Sequence, residues 1–226
     1  MHLRPATPTD LDAVAGLLTS VFIQDPLMSA IVAPAPDPRA ALDHLHRVEL
    51  ADHYLSPDPD RCLGARVDLA VQGEAGSERV LGAMLWDPPA DGDPAGPLGP
   101  GDALPEGLDL DLLGGAWDLV LLDGAQCDAQ RPTEPHWYAY MIAVAPEARG
   151  TGTGTALFRH GLERVDADGL PAHLESTTPA SKRLYQRLGY REVAELSSPP
   201  LPTYWAMTRP AHGAGLHDHS FSRPRA

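Results

Sequence analysis

Glycine and threonine alternate over residues 150–155, directly after Arg149 and between an apolar run and a helix-like segment. Glycine lets the backbone turn tightly and approach a ligand closely, because it has no Cβ atom. The first turn of a helix also leaves several backbone N–H groups without partners, and the helix dipole favours an anion there. These residues therefore predict a loop that binds a phosphate or a pyrophosphate.

Three kinds of glycine loop bind phosphates, and their spacings differ. Nucleotide triphosphatases need a lysine after the second glycine, but the only lysine of this chain is Lys182. The dinucleotide fingerprint Gly-x-Gly-x-x-Gly differs from the Gly-x-Gly-x-Gly found here. The third pattern, Arg/Gln-x-x-Gly-x-Gly/Ala, matches residues 149–154 at every fixed position. On the loop sequence alone, a flexible loop without a ligand stays an alternative.

The elements around the loop follow from apolar patterns and from turn residues. The aromatic run over 137–144 is typical of a buried strand, and a turn follows at Pro146. Residues 171–177 predict a second strand, and residues 179–188 predict a helix. Gly189 suits the left-handed position just beyond the end of that helix. The glycine loop is therefore expected to connect a strand to a helix beside a second strand.

Together these motifs resemble the GNAT N-acetyltransferase superfamily. In that superfamily the glycine loop holds the pyrophosphate of acetyl-coenzyme A, and the last helix typically ends in Tyr-x-x-x-Gly-Phe/Tyr, as residues 185–190 do. The resemblance covers about residues 2–209 and is strongest over 134–208. A closer likeness to puromycin N-acetyltransferase-like actinobacterial members is carried by the blocks 134–138, 173–176, 184–190 and 203–209.

The resemblance implies an α+β fold with a mixed, mostly antiparallel central sheet flanked by helices. A splay between the strands at about 137–144 and 171–177 would admit the pantetheine arm of the coenzyme. The patterns along the chain predict the order β-α-α-β-β-α-β-α-β-α-β-β, with helices over 37–55 and 108–126 among them. We expect a single domain over residues 1–209, followed by a disordered tail over 210–226.

The resemblance also implies which residues bind the two substrates. Cofactor binding falls to Ile142, Ala143, Val144, Arg149, Gly150, Thr151, Gly152, Thr153, Gly154, Thr155 and Ser181. Backbone groups of the strand would stabilise the thioester oxygen as it becomes anionic. The candidate acceptor-binding residues are Phe22, Asp25, Trp137 and Tyr138. The alternatives are that the aromatic residues pack the sheet and that Asp25 only ends a helix.

Tyr185 is the candidate general acid for the coenzyme thiolate, because a phenol with a pKa of about 10 carries a proton at neutral pH. Glu175 is the first candidate for the general base, with Glu134 and His136 as alternatives. Superfamily members often carry a glutamate where this chain has Tyr138, which cannot do the same at neutral pH. Tyr185 could instead pack against the sheet, and Glu175 could instead bind backbone amides.

Composition restricts the partners. The formal net charge of −14 and the pI of about 4.9 argue against nucleic-acid binding, which needs a basic surface. The charge suits a cationic amine, although acidic surfaces more often serve solubility. The cysteines, Cys62 and Cys127, have no metal-ligand spacing, so we expect no metal and a reducing cytoplasm. A bilayer-spanning apolar run of ~20 residues and a secretion signal are not predicted.

The sequence thus predicts an enzyme that transfers acetyl from acetyl-CoA directly to a primary amine of a small molecule. By resemblance, the leading acceptor is an amine-bearing antibiotic or aminonucleoside, which implies antibiotic resistance. Protein, peptide and polyamine acetylation, another acyl donor and a non-catalytic CoA-binding regulatory module stay as alternatives. We expect a monomer or homodimer without nucleic-acid or membrane partners.

Overall fold

The computed structural model describes residues 1–74, 76–89 and 104–211. Its strands are β1 (His2–Pro5), β2 (Arg66–Gln72), β3 (Arg79–Asp87), β4 (Trp137–Val144), β5 (Ala172–Ser176), β6 (Arg191–Leu196) and β7 (Tyr204–Arg209). Its α-helices are α1 (Leu11–Phe22), α2 (Pro26–Val32), α3 (Pro38–Glu49), α4 (Pro59–Cys62), α5 (Leu110–Leu113), α6 (Ala116–Asp128), α7 (Thr153–Asp168) and α8 (Pro179–Arg187). The tail predicted from residue 210 lies outside the described residues from residue 212 onwards.

The strands form one seven-stranded sheet in the order β1-β2-β3-β4-β5-β7-β6. Each neighbouring pair runs antiparallel except β4 and β5, which are parallel. A parallel pair needs a crossover connection, and α7 provides it between these two strands. The predicted α+β fold with a mixed, mostly antiparallel sheet is confirmed.

The parallel pair is short. Trp137 pairs with Ala172 and Tyr138 pairs with His173, and the pairing of β4 with β5 then ends. Because β4 continues to Val144, its later residues face an opening instead of a neighbouring strand on that side. The predicted splay between the two strands is confirmed, and it leaves unpaired strand backbone at the centre of the sheet.

A β-bulge lies at Tyr140. Across β3 and β4, Leu85 pairs with Met141 and Trp86 pairs with Ala139, so Tyr140 has no partner in the register. Before the bulge, Ala139 packs in the core cluster beneath α7; after it, Met141 packs in the cluster beneath α1. A bulge changes which face a strand's side chains occupy, and this one lies beside the opening.

Helix boundaries follow local chemistry. Asp25, a predicted acceptor-binding residue with a helix-ending turn as the alternative, accepts hydrogen bonds from the backbone N–H groups of Leu27 and Met28 and so caps the start of α2. The helix predicted over 108–126 is divided into α5 and α6 at Gly114, whose φ of 52° suits glycine and interrupts the helix. The helix predicted over 37–55 comprises α3 and one π-helical turn, Leu50–Tyr54.

Candidate active site

A cavity of about 1250 Å³ lies in the opening between β4 and β5. Its wall comes from α1, α2 and α3 on one side and from the start of α7 and the length of α8 on the other. The cavity is therefore bounded by the unpaired part of β4, by the glycine loop and by the predicted last helix. It brings the two sequence motifs to one place.

The glycine loop enters α7 with backbone geometry that needs glycine. Gly150 and Gly152 have φ values of 76° and 91°, and Gly152 is the N-cap of the helix. Within the described chain, no acceptor is found for the backbone N–H groups of residues 150–155, whereas the N–H of Ala156 donates to the Gly152 carbonyl at 2.9 Å. This row of free N–H groups at a helix start fits a pyrophosphate.

The loop also lies close to β4. A Cβ atom on Gly154 would meet Val144 Cγ2 at 3.2 Å, so a larger residue would push α7 away from the strand. Arg149, Gly150 and Gly154 line the cavity. The Thr151 hydroxyl instead donates to the Ala148 carbonyl at 2.7 Å and thereby stabilises the turn.

The other predicted cofactor-binding residues divide in two groups. Ile142 and Val144 line the cavity, whereas the Ala143 side chain is buried in the core beneath α1. Ser181 also lines the cavity, but its hydroxyl lies 2.8 Å from those of Ser176 and Thr178 in the capping box that begins α8. The hydrogen-bonding capacity of Ser181 is thus largely used within the protein.

Tyr185 lies on α8 and lines the cavity with only 7% of its surface exposed. Its ring packs at 5.3 Å from that of Phe158, and no partner for its hydroxyl is found in the described residues. Burial, together with the charge of Asp25, raises the pKa of Tyr185 above its usual value. The phenol therefore keeps its proton and has no competing acceptor, as a general acid requires.

Glu175 lies on β5 and already has two hydrogen-bond partners. One carboxylate oxygen accepts from the Tyr138 hydroxyl at 2.5 Å, and the other lies 3.0 Å from His173 Nε2. Because an ionised carboxylate only accepts, His173 donates through Nε2, and its Nδ1 lies 2.9 Å from the Thr208 hydroxyl. Glu175 thus lines the cavity as one member of a buried hydrogen-bonded chain with Tyr138 and His173.

The structure brings three of the four predicted acceptor-binding residues to the cavity. Phe22, Asp25 and Tyr138 line it. Trp137 packs instead against Trp86 on the opposite face of the sheet, and its indole N–H donates to Asp168 at 2.9 Å. Strand alternation explains this, because neighbouring residues point to opposite faces.

Three other predicted residues, Asp25, Glu134 and His136, either form hydrogen bonds within the protein or lie away from the cavity. Asp25 caps α2 through one carboxylate oxygen, and the other accepts a short hydrogen bond from the Thr177 hydroxyl. The alternative bases, Glu134 and His136, lie outside the cavity wall, and His136 Nδ1 bonds the Glu134 carbonyl at 2.9 Å. Among the carboxylates considered from the sequence as bases, Glu175 is the one that the structure brings to the cavity.

Comparison with known proteins connects this geometry with a known fold. Residues 118–192 match the model of the acetyltransferase (GNAT) domain. The chain has the GNAT fold. The glycine loop and α8 both lie within this matched segment, so the residues that carry the family likeness are also those around the cavity.

A curated relative of this GNAT domain is the L-2,4-diaminobutyric acid acetyltransferase of Nocardia farcinica, which is 40% identical over 76 residues. That match covers 31% of this chain and 39% of the relative, so it spans less than half of either protein. Both the family model and this relative indicate an N-acetyltransferase. They do not support the narrower likeness to puromycin N-acetyltransferases, which stays a prediction.

Two crystal structures share the GNAT fold over nearly the whole chain. One, from Corynebacterium glutamicum and described as histone acetyltransferase HPA2 and related acetyltransferase, has a TM-score of 0.66 at 25% identity and covers 95% of this chain and 98% of its own. The other is the polyamine N-acetyltransferase of Drosophila melanogaster, which forms N-acetylagmatine. It has a TM-score of 0.55 at 18% identity and covers 92% and 98%.

The cavity wall also contains residues that the sequence did not single out. Glu49 of α3 and Asp123 of α6 line the cavity together with Tyr140. Burial raises the pKa of Glu49 to about 7 against the opposing hydrogen bond from Tyr140. Burial also raises the pKa of Asp123 to about 6, although its carboxylate accepts from the Tyr204 hydroxyl at 2.7 Å. No sequence motif marks these residues, because only the tertiary fold brings α3 and α6 together.

Neither a metal site nor a single membrane-spanning helix is found in the described residues. In residues 1–74, 76–89 and 104–211, no group of three or more His, Cys, Asp or Glu side chains has the arrangement of a metal site. In the same residues no single helix has the length and apolarity to cross a bilayer; residues 8–22 and 26–32 meet these criteria only as a pair bent by 100°.

Proposed function

We propose that this protein transfers the acetyl group of acetyl-CoA directly to a primary amine of a small molecule. The observation that carries the proposal is that one cavity is lined by Gly150 and Gly154 of the glycine loop, whose N–H groups have no acceptor in the described residues, by the unpaired part of β4 and by Tyr185. These are the anion site, the strand backbone and the proton donor that the reaction needs.

In the proposed reaction, the N–H groups of residues 150–155 bind the pyrophosphate, with Arg149 beside them. The thioester lies along β4 in the splay, where backbone groups of residues 142–144 stabilise the oxygen that becomes anionic. The amine nitrogen attacks the carbonyl carbon, a C–N bond forms and the C–S bond breaks. Tyr185 protonates the leaving thiolate, which makes it the general acid.

The amine must also lose a proton, and we propose that Glu175 receives it. Since both Glu175 oxygens already accept hydrogen bonds, the proton reaches the carboxylate as the Tyr138 hydroxyl changes partner or through Tyr138 itself. Tyr138 and Glu175 both line the cavity, so the acceptor can meet either side chain.

Small amines are the acceptor class that the comparisons favour. One relative acts on L-2,4-diaminobutyric acid and a structural neighbour forms N-acetylagmatine. An amine-bearing antibiotic or aminonucleoside stays a candidate through the likeness to puromycin N-acetyltransferases. Protein or peptide amines are the alternative. The unpaired thiols of Cys62 and Cys127 support a reducing cytoplasm as its place of action.

The decisive experiment measures acetyl-CoA consumption against a panel of amines, with puromycin and aliphatic amines included, and identifies the products by mass spectrometry. N-acetylated product is the expected result. CoA binding without transfer to any amine would contradict an enzyme and favour a regulatory CoA-binding module.

Tyr185→Phe tests the proposed general acid. We expect kcat to fall about 10–100-fold, at or below the lower end of the usual contribution of a proton-transfer group, because the thiolate loses its proton donor. Tyr190→Phe is the matched control, since its buried hydroxyl also has no partner in the described residues and lies outside the cavity wall. Equal kcat in the wild type and Tyr185→Phe would remove Tyr185 from the mechanism.

A further inference from the structure

We propose that the acceptor carries a second cationic group, which Glu49 and Asp123 bind while its amine is acetylated. The inference rests on the proposed function and specifies its substrate class: aliphatic diamines and amines that bear a guanidinium. It follows from how charge, hydrogen-bond acceptors and aromatic rings are distributed around the cavity.

Charge divides the cavity wall into two regions. Arg149 belongs to the glycine loop and Arg187 to the end of α8, so the arginines of the wall lie on the α7–α8 side. Glu49 and Asp123 come from α3 and α6, on the other side of the sheet opening. The first region suits the phosphates of a coenzyme, and the second suits a cation.

The remaining charged groups of the wall are already paired. Asp25 and Glu175 accept hydrogen bonds through both oxygens, as described above. Asp52 forms an ion pair with Arg61, and His53 lies 2.8 Å from Asp87. These side chains therefore have little capacity left for a ligand.

Glu49 and Asp123 differ in this respect. Throughout the described chain, neither lies within ion-pair distance of an arginine or lysine. Among the described residues, Asp123 Oδ1 accepts from the Tyr204 hydroxyl and Oδ2 has no hydrogen-bond partner. Glu49 has the phenol of Tyr140 beside it, and the nearby His53 imidazole is bonded to Asp87 instead. A buried carboxylate without a cation is costly, so an ammonium from a ligand would stabilise both.

Aromatic rings connect the two carboxyls. Burial and then the charge of Glu49, with a smaller effect from Asp123, raise the pKa of Tyr140 well above its usual value, so this phenol lies near both carboxyls. Its ring is 5.8 Å from that of Tyr138, and both line the cavity. The Arg131 guanidinium lies 4.2 Å from the centroid of the Tyr138 ring, and Tyr140 stacks on Tyr54 at 5.6 Å. The carboxylates are therefore the partners left for an alkyl ammonium.

An independent observation concerns His46, which lies one turn before Glu49 on α3 and also lines the cavity. It is 1% exposed, and its Nε2 atom has no partner in the described residues. The Thr19 hydroxyl donates to Asp43, so it accepts from His46 Nδ1–H at 3.0 Å, and Nε2 is left as an acceptor. Burial lowers the pKa of His46 to about 4, so this imidazole stays neutral.

Among the described residues, this region of the wall thus offers the acceptors of Glu49, Asp123 and His46 and no arginine or lysine, and its His53 imidazole is already paired with Asp87. A dication fits that chemistry better than an anion, a zwitterion or a neutral group. One ammonium can then lose its proton and react in the splay while the other stays charged on the α3–α6 side.

The test compares kcat/KM for 1,4-diaminobutane with that for butylamine, which has the same reactive group and lacks the second cation. We expect the wild type to favour the diamine by about 10-fold or more, beyond the statistical advantage of two amines, as a charged hydrogen bond of about 1.5–3 kcal/mol implies. In Glu49→Gln and Asp123→Asn this ratio should fall towards the statistical value.

Glu163→Gln is the matched control, because it removes one carboxylate that is 78% exposed on α7 and lies outside the cavity wall. Its diamine preference should equal that of the wild type. CoA affinity by calorimetry shows whether each variant is folded; should both carboxyl variants misfold, the wild-type ratio decides the question.

The possible outcomes distinguish the second-cation inference from the proposed acetyl-transfer function. Equal use of both amines by the wild type, or an unchanged ratio in both folded carboxyl variants, would overturn the second-cation inference and leave acetyl transfer standing. Failure to acetylate any amine would overturn the proposed function and the inference with it.

Discussion

At the scale of single residues, Tyr138 determines how hydrogen bonds are arranged beside the cavity. The superfamily often has a glutamate at this place on β4, whereas here a phenol occupies it and donates to Glu175 on the neighbouring strand. A carboxylate is thus found one strand away, on β5, and both it and the phenol line the cavity. His173 completes the arrangement by donating to the second oxygen of Glu175.

Glu175→Gln tests this arrangement. If Glu175 accepts the amine proton, its protonation at low pH stops the reaction, so the wild-type kcat/KM should fall on the acidic side. The variant should have a lower rate and should lose that acidic limb, because glutamine does not titrate. A pH–rate profile with one good acceptor measures both properties. An acidic limb of unchanged shape in the variant would assign the titration to another group.

His46 makes stability depend on pH. Burial lowers the pKa of His46 to about 4 from a usual value of 6.5, so between these values the unfolded chain takes up a proton that the folded protein refuses. Stability from this residue is therefore fully present above pH 6.5 and is lost as the pH falls towards 4, by about 3 kcal/mol at most. Asp43 opposes part of the effect.

His46→Leu should remove this component. The free energy of unfolding in urea, measured at pH 7 and at pH 4.5, should differ between the two pH values by about 2–3 kcal/mol less in the variant. Identical pH dependence in the two proteins would show that His46 titrates normally in the folded state.

At the scale of elements, the start of α7 holds the proposed anion site. Its N-cap, Gly152, has a φ of 91°, and its C-cap, Gly169, has a φ of 66°. An L-residue with a side chain pays about 1–2 kcal/mol in this left-handed conformation. No atom lies within 4 Å of a Cβ at either position, so backbone strain is the dominant cost of alanine at both.

Gly152→Ala and Gly169→Ala therefore form a matched pair. Both should lower the free energy of unfolding by a similar amount. Only Gly152→Ala should weaken CoA binding, by about 10-fold, because the N–H groups of residues 150–155 would lose their alignment. Calorimetry with CoA measures this. Equal CoA affinity in the two variants would place the diphosphate elsewhere.

At the scale of the whole molecule, the net charge of −14 acts on both substrates. A dicationic acceptor is attracted towards the protein, whereas CoA approaches against the charge and depends on the local N–H groups and arginines. Salt screens the long-range part of both interactions, since the Debye length falls to about 10 Å at 0.1 M.

The KM for 1,4-diaminobutane should therefore rise by about 3-fold or more as NaCl increases from about 20 to 200 mM. The KM for acetyl-CoA, measured in the same samples, should fall or stay constant. Initial-rate kinetics across this range check the expectation. A diamine KM that does not change with salt would show that the acidic surface serves solubility and not substrate attraction.

The local sequence patterns predicted most of the strands and helices. The run over 137–144 predicts β4 with its observed bounds, because aromatic and apolar residues end at a proline turn. The glycine spacing predicts the loop and the start of α7. The prediction of one helix over 108–126 was wrong in one respect, because a positive φ at Gly114 divides it. The spacing of apolar residues carries no information about backbone torsion angles.

The site itself was predictable only in part. Tyr185 and Glu175 were found through motifs and do line the cavity, although their catalytic roles stay predictions. The sequence could not show which of Trp137 and Tyr138 lines the cavity, because the face that each side chain occupies depends on the register of β4. Glu49 and Asp123 carried no signal, since each looks like an ordinary helix-surface carboxylate in sequence.

By itself, the sequence determined the elements and the glycine loop, because helix periodicity, strand composition and glycine torsion are local properties that neighbouring residues decide. Only the tertiary structure decided which side chains share the cavity. It did so through the end of β4–β5 pairing, the bulge at Tyr140 and the approach of α3 to α6. Each of these depends on packing between distant segments, whose free energy no local pattern records.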